Sequence, residues 1–131
     1  YCKTVNIEGR TMVAMARREI LPAVEAYAQS LAAALSAKTA AVPALPCSYE
    51  KSRIAKLSTL TDAISSAADE LDSILREVHA FDDVTRTSCA MRDRVLPQMS
   101  RLRAVCDEAE TLTARSFWPF PTYDDLLFGL E

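Results

Sequence analysis

Glycine is nearly missing. The chain of 131 residues holds two, where average usage of about 7% predicts roughly nine. That scarcity leaves little material for hairpins, bulges or phosphate-cradling loops, whereas helices need none of it. Histidine is scarcer still. His79 stands alone, so a histidine-dependent triad or a multi-histidine metal site lacks its parts. A di-iron bundle would need two Glu-x-x-His motifs, but Glu77 precedes His79 by only two positions. His79 therefore reads as a helix-end residue in a favourable dipole position. Long apolar runs are absent too, as is a charged-then-apolar leader, which removes the signals for a membrane span or signal peptide. Neither charge sign dominates: 15 basic against 18 acidic residues give a net charge of −3 and a pI near 5.2. Nothing global pulls the chain toward nucleic acid or anionic membrane. The local cluster Arg92, Arg94, Arg101 and Arg103 is diluted by Asp93, Asp107 and Glu108.

Alanine and leucine fill the place of glycine, and both are strong helix formers. Half the residues are hydrophobic and a quarter charged, an ordinary globular composition. The expected class is all-α, with residues 1–131 as one domain. Apolar residues recur in steps of three and four along Val13, Ala16, Ile20, Val24, Tyr27, Leu31 and Ala34. A second series runs Ile54, Leu57, Thr61, Ile64, Ala67, Leu71, Ile74 and Val78. A third runs Val84, Ser88, Met91, Val95, Met99, Leu102, Val105, Ala109 and Leu112. Such patterns mark long amphipathic helices packed along their length. They predict an antiparallel bundle of three helices, about 7–40, 49–80 and 83–115, followed by a tail at 116–131.

The boundaries have chemical signals. The prolines of "AAVPALPCS" (40–48) must break the first helix. Ser48 is then a candidate N-cap with Glu50 in the first turn, Asp82 or Asp83 a candidate cap for the third helix, and Asn6 one for the first. An internal echo pairs "RREILPAVEAY" (17–27) with "RDRVLPQMSRL" (92–102). Both segments carry a proline inside a helix, which predicts kinks at matching depths and freed carbonyls at Arg18 and Asp93. The bland reading is shape, a bend that lets a long helix wrap a curved surface.

Chemistry-bearing patterns are few. "DELD" (69–72) and "DEAE" (107–110) put carboxylates at helical spacing, as solvated helix faces do. The four cysteines show no C-x-x-C spacing. Cys89 and Cys106 would lie about 25 Å apart on one helix, too far to bridge. Reduced thiols are the expectation. The enzyme reading rests on Arg17, Arg53 and Arg92, which could line an internal pocket and hold a small dicarboxylate. The competing reading is a non-catalytic interaction module, with no catalytic, cofactor-binding or metal residue.

The tail "SFWPFPTYDDLLF" (116–128) concentrates aromatics and prolines, two residues apart and so not a Pro-x-x-Pro ligand. Pro119 is expected to end the third helix and push Trp118 into extended geometry. Thr122 can cap a short helix with Asp124 and Asp125 in its first turn. Phe117, Trp118 and Phe120 are expected to fold back as a plug on the bundle. Tyr123, Leu126, Leu127 and Phe128 are expected to dock on another domain or subunit, so all seven form the candidate interface.

Three stretches, "VNIEGRTMVAMARREILPAVEAY" (5–27), "RDRVLPQMSRLRAVCDEAE" (92–110) and "WPFPTYDDLLF" (118–128), together with "SYE" (48–50), resemble the C-terminal helical region of type III glutamine synthetases. The similarity spans nearly the whole chain, and the final motif is its most specific part. The resemblance implies a cytoplasmic parent enzyme that joins ammonia to glutamate with ATP and a divalent metal (Mg) in an upstream catalytic domain. It also implies assembly into large double-ringed homo-oligomers, so the partners are the chain's own catalytic domain and neighbouring subunits, with no nucleic acid and no membrane. No catalytic motif of the upstream fold occurs here. The opening at Tyr1, without an initiator methionine, fits a piece of a longer protein.

Overall fold

With so little glycine to interrupt it, the backbone coils nearly everywhere. The computed structural model describes residues 1–121, and all regular structure in that span is helical, in three long helices and one short 3-10 turn (Arg115–Phe117). The tail positions from Thr122 onward, including the short helix expected there, lie outside the described residues. The first long helix consists of α1 (Cys2–Met15), a π turn (Ala16–Ile20) and α2 (Leu21–Ala41). It stops where Pro43 forces the preceding Val42 into extended geometry, φ −141° and ψ 99°. The second is the uninterrupted α3 (Ser48–His79), 32 residues long. The third comprises α4 (Val84–Ala90), a second π turn (Met91–Val95) and α5 (Leu96–Leu112).

Three of the expected boundary signals act differently. Asn6 lies inside α1 rather than capping it, and its side chain accepts a bond from Arg10 Nε. Ser48 is already helical; Cys47 takes the N-cap position and makes no side-chain cap bond. The third helix ends at Leu112, with Thr113 extended at ψ 136°, well before Pro119. Asp83 does cap α4, accepting from the Thr85 amide at 3.0 Å. Trp118, the residue before Pro119, is extended (φ −76°, ψ 128°).

Contacts along α3 fix how its neighbours run. On the first helix, Gly9 meets Leu75, Arg17 meets Asp69 and Asp72, and Lys38 meets Glu50. On the third, Arg94 meets Glu77, Gln98 meets Ala67, and Leu112 meets Arg53. In both cases residue number rises on one partner as it falls on α3. The core is the seam where α3 touches both: Leu57, Ile64, Ala68 and Leu71 are fully enclosed, with Val24, Val95 and Ala109 facing in from the other helices.

Gly9 earns its place in α1 by this contact. A Cβ there would lie 3.1 and 3.3 Å from the two δ carbons of Leu75, so the bare backbone is what lets a leucine of α3 seat against α1.

The π turns explain how the internal prolines are accommodated. In each, the amide just before the proline reaches five residues back instead of four: Leu21 N–H to Ala16 O, and Leu96 N–H to Met91 O. The widened turn absorbs one extra residue and relieves the proline ring of the carbonyl it would otherwise strike. The two turns occupy equivalent places in the sequence echo, but not matching depths in the bundle. The echo would set Cys2 beside Glu77 and Met15 beside Ala90. Instead Cys2 meets Ser88 at 3.5 Å, and Met12 and Met15 share a cleft with Leu102 and Cys106. The same local device is therefore used at two levels.

Candidate functional site

The end of the bundle where α2 turns into α3 gathers aromatic side chains. Tyr27 on α2 stacks obliquely on Phe117, ring centres 5.2 Å apart. Hydrogen bonding with Tyr49, then burial, raises the Tyr27 hydroxyl above the ordinary tyrosine range. The Arg53 guanidinium lies 5.4 Å from the Tyr49 ring centre and donates to the Leu112 carbonyl at the exposed end of α5. Val42, Leu45, Tyr49 and Phe117 leave large apolar surfaces in solvent. Sequence reading placed Phe117 here but missed Tyr49 and Arg53 as its companions. Their pairing depends on where two helices end, which periodicity does not report.

Beneath the loop, Glu50 is buried at 6% exposure, and its carboxylate lies 2.9 Å from Lys38 Nζ. The lysine hydrogen bond, with help from Glu50's own backbone amide, holds the Glu50 carboxyl below its ordinary range against the opposing effect of burial. The same bond raises Lys38. Because the folded-state value of Glu50 is depressed, its contribution is complete above the ordinary carboxylate range and is lost as pH falls through the lowered value. Melting temperature measured across the acid range should therefore fall less steeply for Glu50→Gln than for the parent chain, starting from a lower value at neutral pH. Parallel curves would remove Glu50 from the acid response.

A second concavity, a cleft of about 270 Å³, opens between the first and third helices. Met12, Met15, Ile20 and Leu102 floor it, and Trp118 and Phe120 form a wall. Both aromatics are half-buried and pack on the core. Cys106 also lines the cleft; burial, aided by Asp107, pushes its thiol up to about 11. Arg103, Asp107 and Glu110 give the rim its polarity. A wider hollow of about 380 Å³ between α3 and α5 has helix-surface residues such as Lys56 and Glu108 and no aromatic.

Phe117, Trp118 and Phe120 thus lie on their own bundle. Tyr123, Leu126, Leu127 and Phe128 are outside the described residues. The dicarboxylate reading does not hold, because its three arginines do not converge. Arg17 pairs on the surface with Asp69 and Asp72, while Arg53 sits about 24 Å further along α3, at a 1.5 Å rise per residue. Arg92 is exposed and pairs with its sequence neighbour Asp93. The echo adds nothing here: Arg94, the counterpart of Glu19, is the residue that clasps α3, through two bonds to Glu77 at 3.0 and 2.7 Å.

The "DELD" acids serve the surface network in which Asp72 also meets Arg76 one turn on. His79 is exposed in the last turn of α3. All four cysteines are free thiols. Among the described residues no three His, Cys, Asp or Glu side chains converge as metal ligands. Arg17, Arg53 and Arg92 stand apart from one another, each with its own partner. No helix among the described residues is long and apolar enough to cross a membrane.

The described residues define an all-helical protein, three long helices with no strand among them. A family model, the glutamine synthetase C-terminal domain, matches residues 1–39. A glutamine synthetase of Butyrivibrio fibrisolvens is 26% identical over 131 residues, covering 100% of this chain and 19% of that protein. A type-3 glutamine synthetase of Dictyostelium discoideum is 21% identical over 136 residues, covering 98% of this chain and 18% of its own length. Over nearly its whole length the chain is thus similar to glutamine synthetases, a type-3 enzyme among them, and its first 39 residues match the model of the C-terminal domain. It spans about a fifth of the length of the curated relatives it matches.

Proposed function

We propose that the chain is a non-catalytic structural and assembly domain of a glutamine synthetase, an antiparallel three-helix bundle that packs on the catalytic domain or on a neighbouring subunit of a homo-oligomeric ring. The parent enzyme joins ammonia to glutamate with ATP and a divalent metal, in the cytoplasm, and its chemistry resides outside these residues. The observation that carries this reading is the coverage: essentially the whole chain aligns with relatives of which it makes up only 19% and 18%. The bundle end bearing Val42, Leu45, Tyr49 and Phe117 is the surface offered to the partner, since aromatic anchors commonly concentrate binding energy.

The deciding measurement compares the mass of the parent assembly with and without these residues. Its rings should fall apart when the bundle is removed, and Tyr49→Ala with Phe117→Ala should weaken them. Rings of unchanged mass in the deletion would end the assembly role. Glutamine synthesis by the isolated bundle would end the non-catalytic one.

A further inference from the structure

Seven consecutive apolar residues, 40–46, stand in solvent where the first long helix turns into α3. The complementary feature, the cleft floored by Met12 and Met15, opens between the first and third helices. We propose that the two are halves of one contact, in which the loop at 40–46 of one copy inserts into the cleft of a second copy, head to tail. This inference rests on the assembly role proposed above and names a contact through which it acts.

The loop is built as a rigid plug. Pro43 follows Val42 in a tight turn closed by the Leu45 amide, which donates to the Val42 carbonyl at 3.1 Å. Pro43 and Pro46 restrict the chain on both sides of Leu45. Beneath it Cys47 is buried, and the Lys38–Glu50 pair at 2.9 Å ties the end of α2 to the start of α3. Little freedom is left to lose on binding. An exposed apolar stretch bordered by charge is a mark of an interaction surface.

Charge and shape select the receiver. From Ala26 to Thr61 the only acid is Glu50, buried against Lys38, while Lys51, Arg53 and Lys56 follow it. The plug is thus bordered by bases on a chain whose net charge is −3. The cleft reverses the pattern: its rim carries Asp107 and Glu110 against a single Arg103, and neither acid makes an ion pair among the described residues. Opposed charges of this kind steer and orient a contact. Met12 and Met15 adapt to an irregular apolar guest such as Val42 and Leu45.

The receiver belongs to another copy. Val42 lies about 30 Å along α2 from Ile20, at a 1.5 Å rise per residue, and further from Met15 and Met12. A straight helix holds that separation, so the plug cannot reach the floor of its own cleft. Each copy in such a contact presents one free plug and one free cleft, and the series closes into a ring when the rotation between copies allows it.

Sedimentation of the 131-residue chain up to about millimolar concentration, the effective range within an assembly, should show mass that grows with concentration. Emission from Trp118, the sole tryptophan and part of the cleft wall, should blue-shift in parallel. Leu45→Asp spoils the plug and Met15→Asp the cleft; each should weaken self-association about tenfold or more, as loss of one anchor does. Mixed together, the two variants retain one intact plug and one intact cleft between them. They should form 1:1 dimers with the parent's affinity and grow no further.

If Met15→Asp lowers helicity, Asp107→Lys with Glu110→Lys takes its place. A chain that stays monomeric at that concentration overturns the proposal, as do variants that associate like the parent or a mixture that stays monomeric. Binding of the loop to phosphatidylserine vesicles without self-association also overturns it, in favour of a lipid surface. The assembly role has its own test: rings lost on deletion of the bundle but unchanged by the plug and cleft variants would keep that role and remove this contact.

Discussion

Leu71→Ala should lower the unfolding free energy by about 2–5 kcal/mol, the range for emptying an enclosed leucine site. Leu71 has no exposed surface, and α3 packs on both other long helices. Side chains on the two sides are therefore held by rigid helical backbone and cannot both close on the void. Against a total stability of about 5–15 kcal/mol this is a large fraction, and at about 4 °C per kcal/mol the midpoint should drop by roughly 8–20 °C. Ile74→Ala is the matched control, since Ile74 is only half-buried at the edge of the same seam. Urea unfolding followed by helicity separates the two. A loss under about 1 kcal/mol at Leu71, or an equal loss at both sites, would show that α3 is not the central element.

That control also shows what the sequence made legible. Scarce glycine and unbroken periodicity were enough for the all-helical class and the three long helices. Along α3 the predicted seam shares Leu57, Ile64, Leu71 and Val78 with the observed core, but Leu60, Ala68 and Leu75 are buried where Thr61, Ala67 and Ile74 were expected. The displacement by one residue has a cause. A helix that serves two neighbours buries a wider face than a single stripe, and adjacent apolar pairs such as Ile74 and Leu75 lie on its two flanks.

Thr61 at the edge turns its hydroxyl onto the Leu57 carbonyl at 2.7 Å and so tolerates the position. Gln98 was invisible for the opposite reason. It is a polar residue at 1% exposure, and only the structure shows its amide donating to Ala67 O and accepting from Arg101. The candidate site was legible in part: three tail aromatics were placed on the bundle, but their partners come from helix ends brought together by the fold.

The π turns lead to the other large expected effect, a contrast between two single-residue deletions. Deleting Ala63 from the straight run of α3 should abolish cooperative folding. Every residue on one side of the cut turns by about 100° relative to the other. Leu57 and Leu60 then leave the core, each worth about 1.5–3 kcal/mol of burial, and the Lys38–Glu50 and Arg53–Leu112 contacts at that end go with them. Deleting Arg18 together with Pro22→Ala should instead leave a folded bundle. The first π turn holds one residue more than an α turn requires, as the Leu21 to Ala16 bond shows. Removing it restores bonding four residues back, while Val5, Gly9 and Val13 above the turn keep facing the same way as Val24 below it. The alanine is needed because a regular turn would bring the proline ring onto a carbonyl, at about 3 kcal/mol. Thermal melts followed by circular dichroism read the contrast. Equal collapse of both variants would mean that the turn is not a one-residue insertion, and that the widened geometry at Ala16–Ile20 holds the first helix in register by some other means.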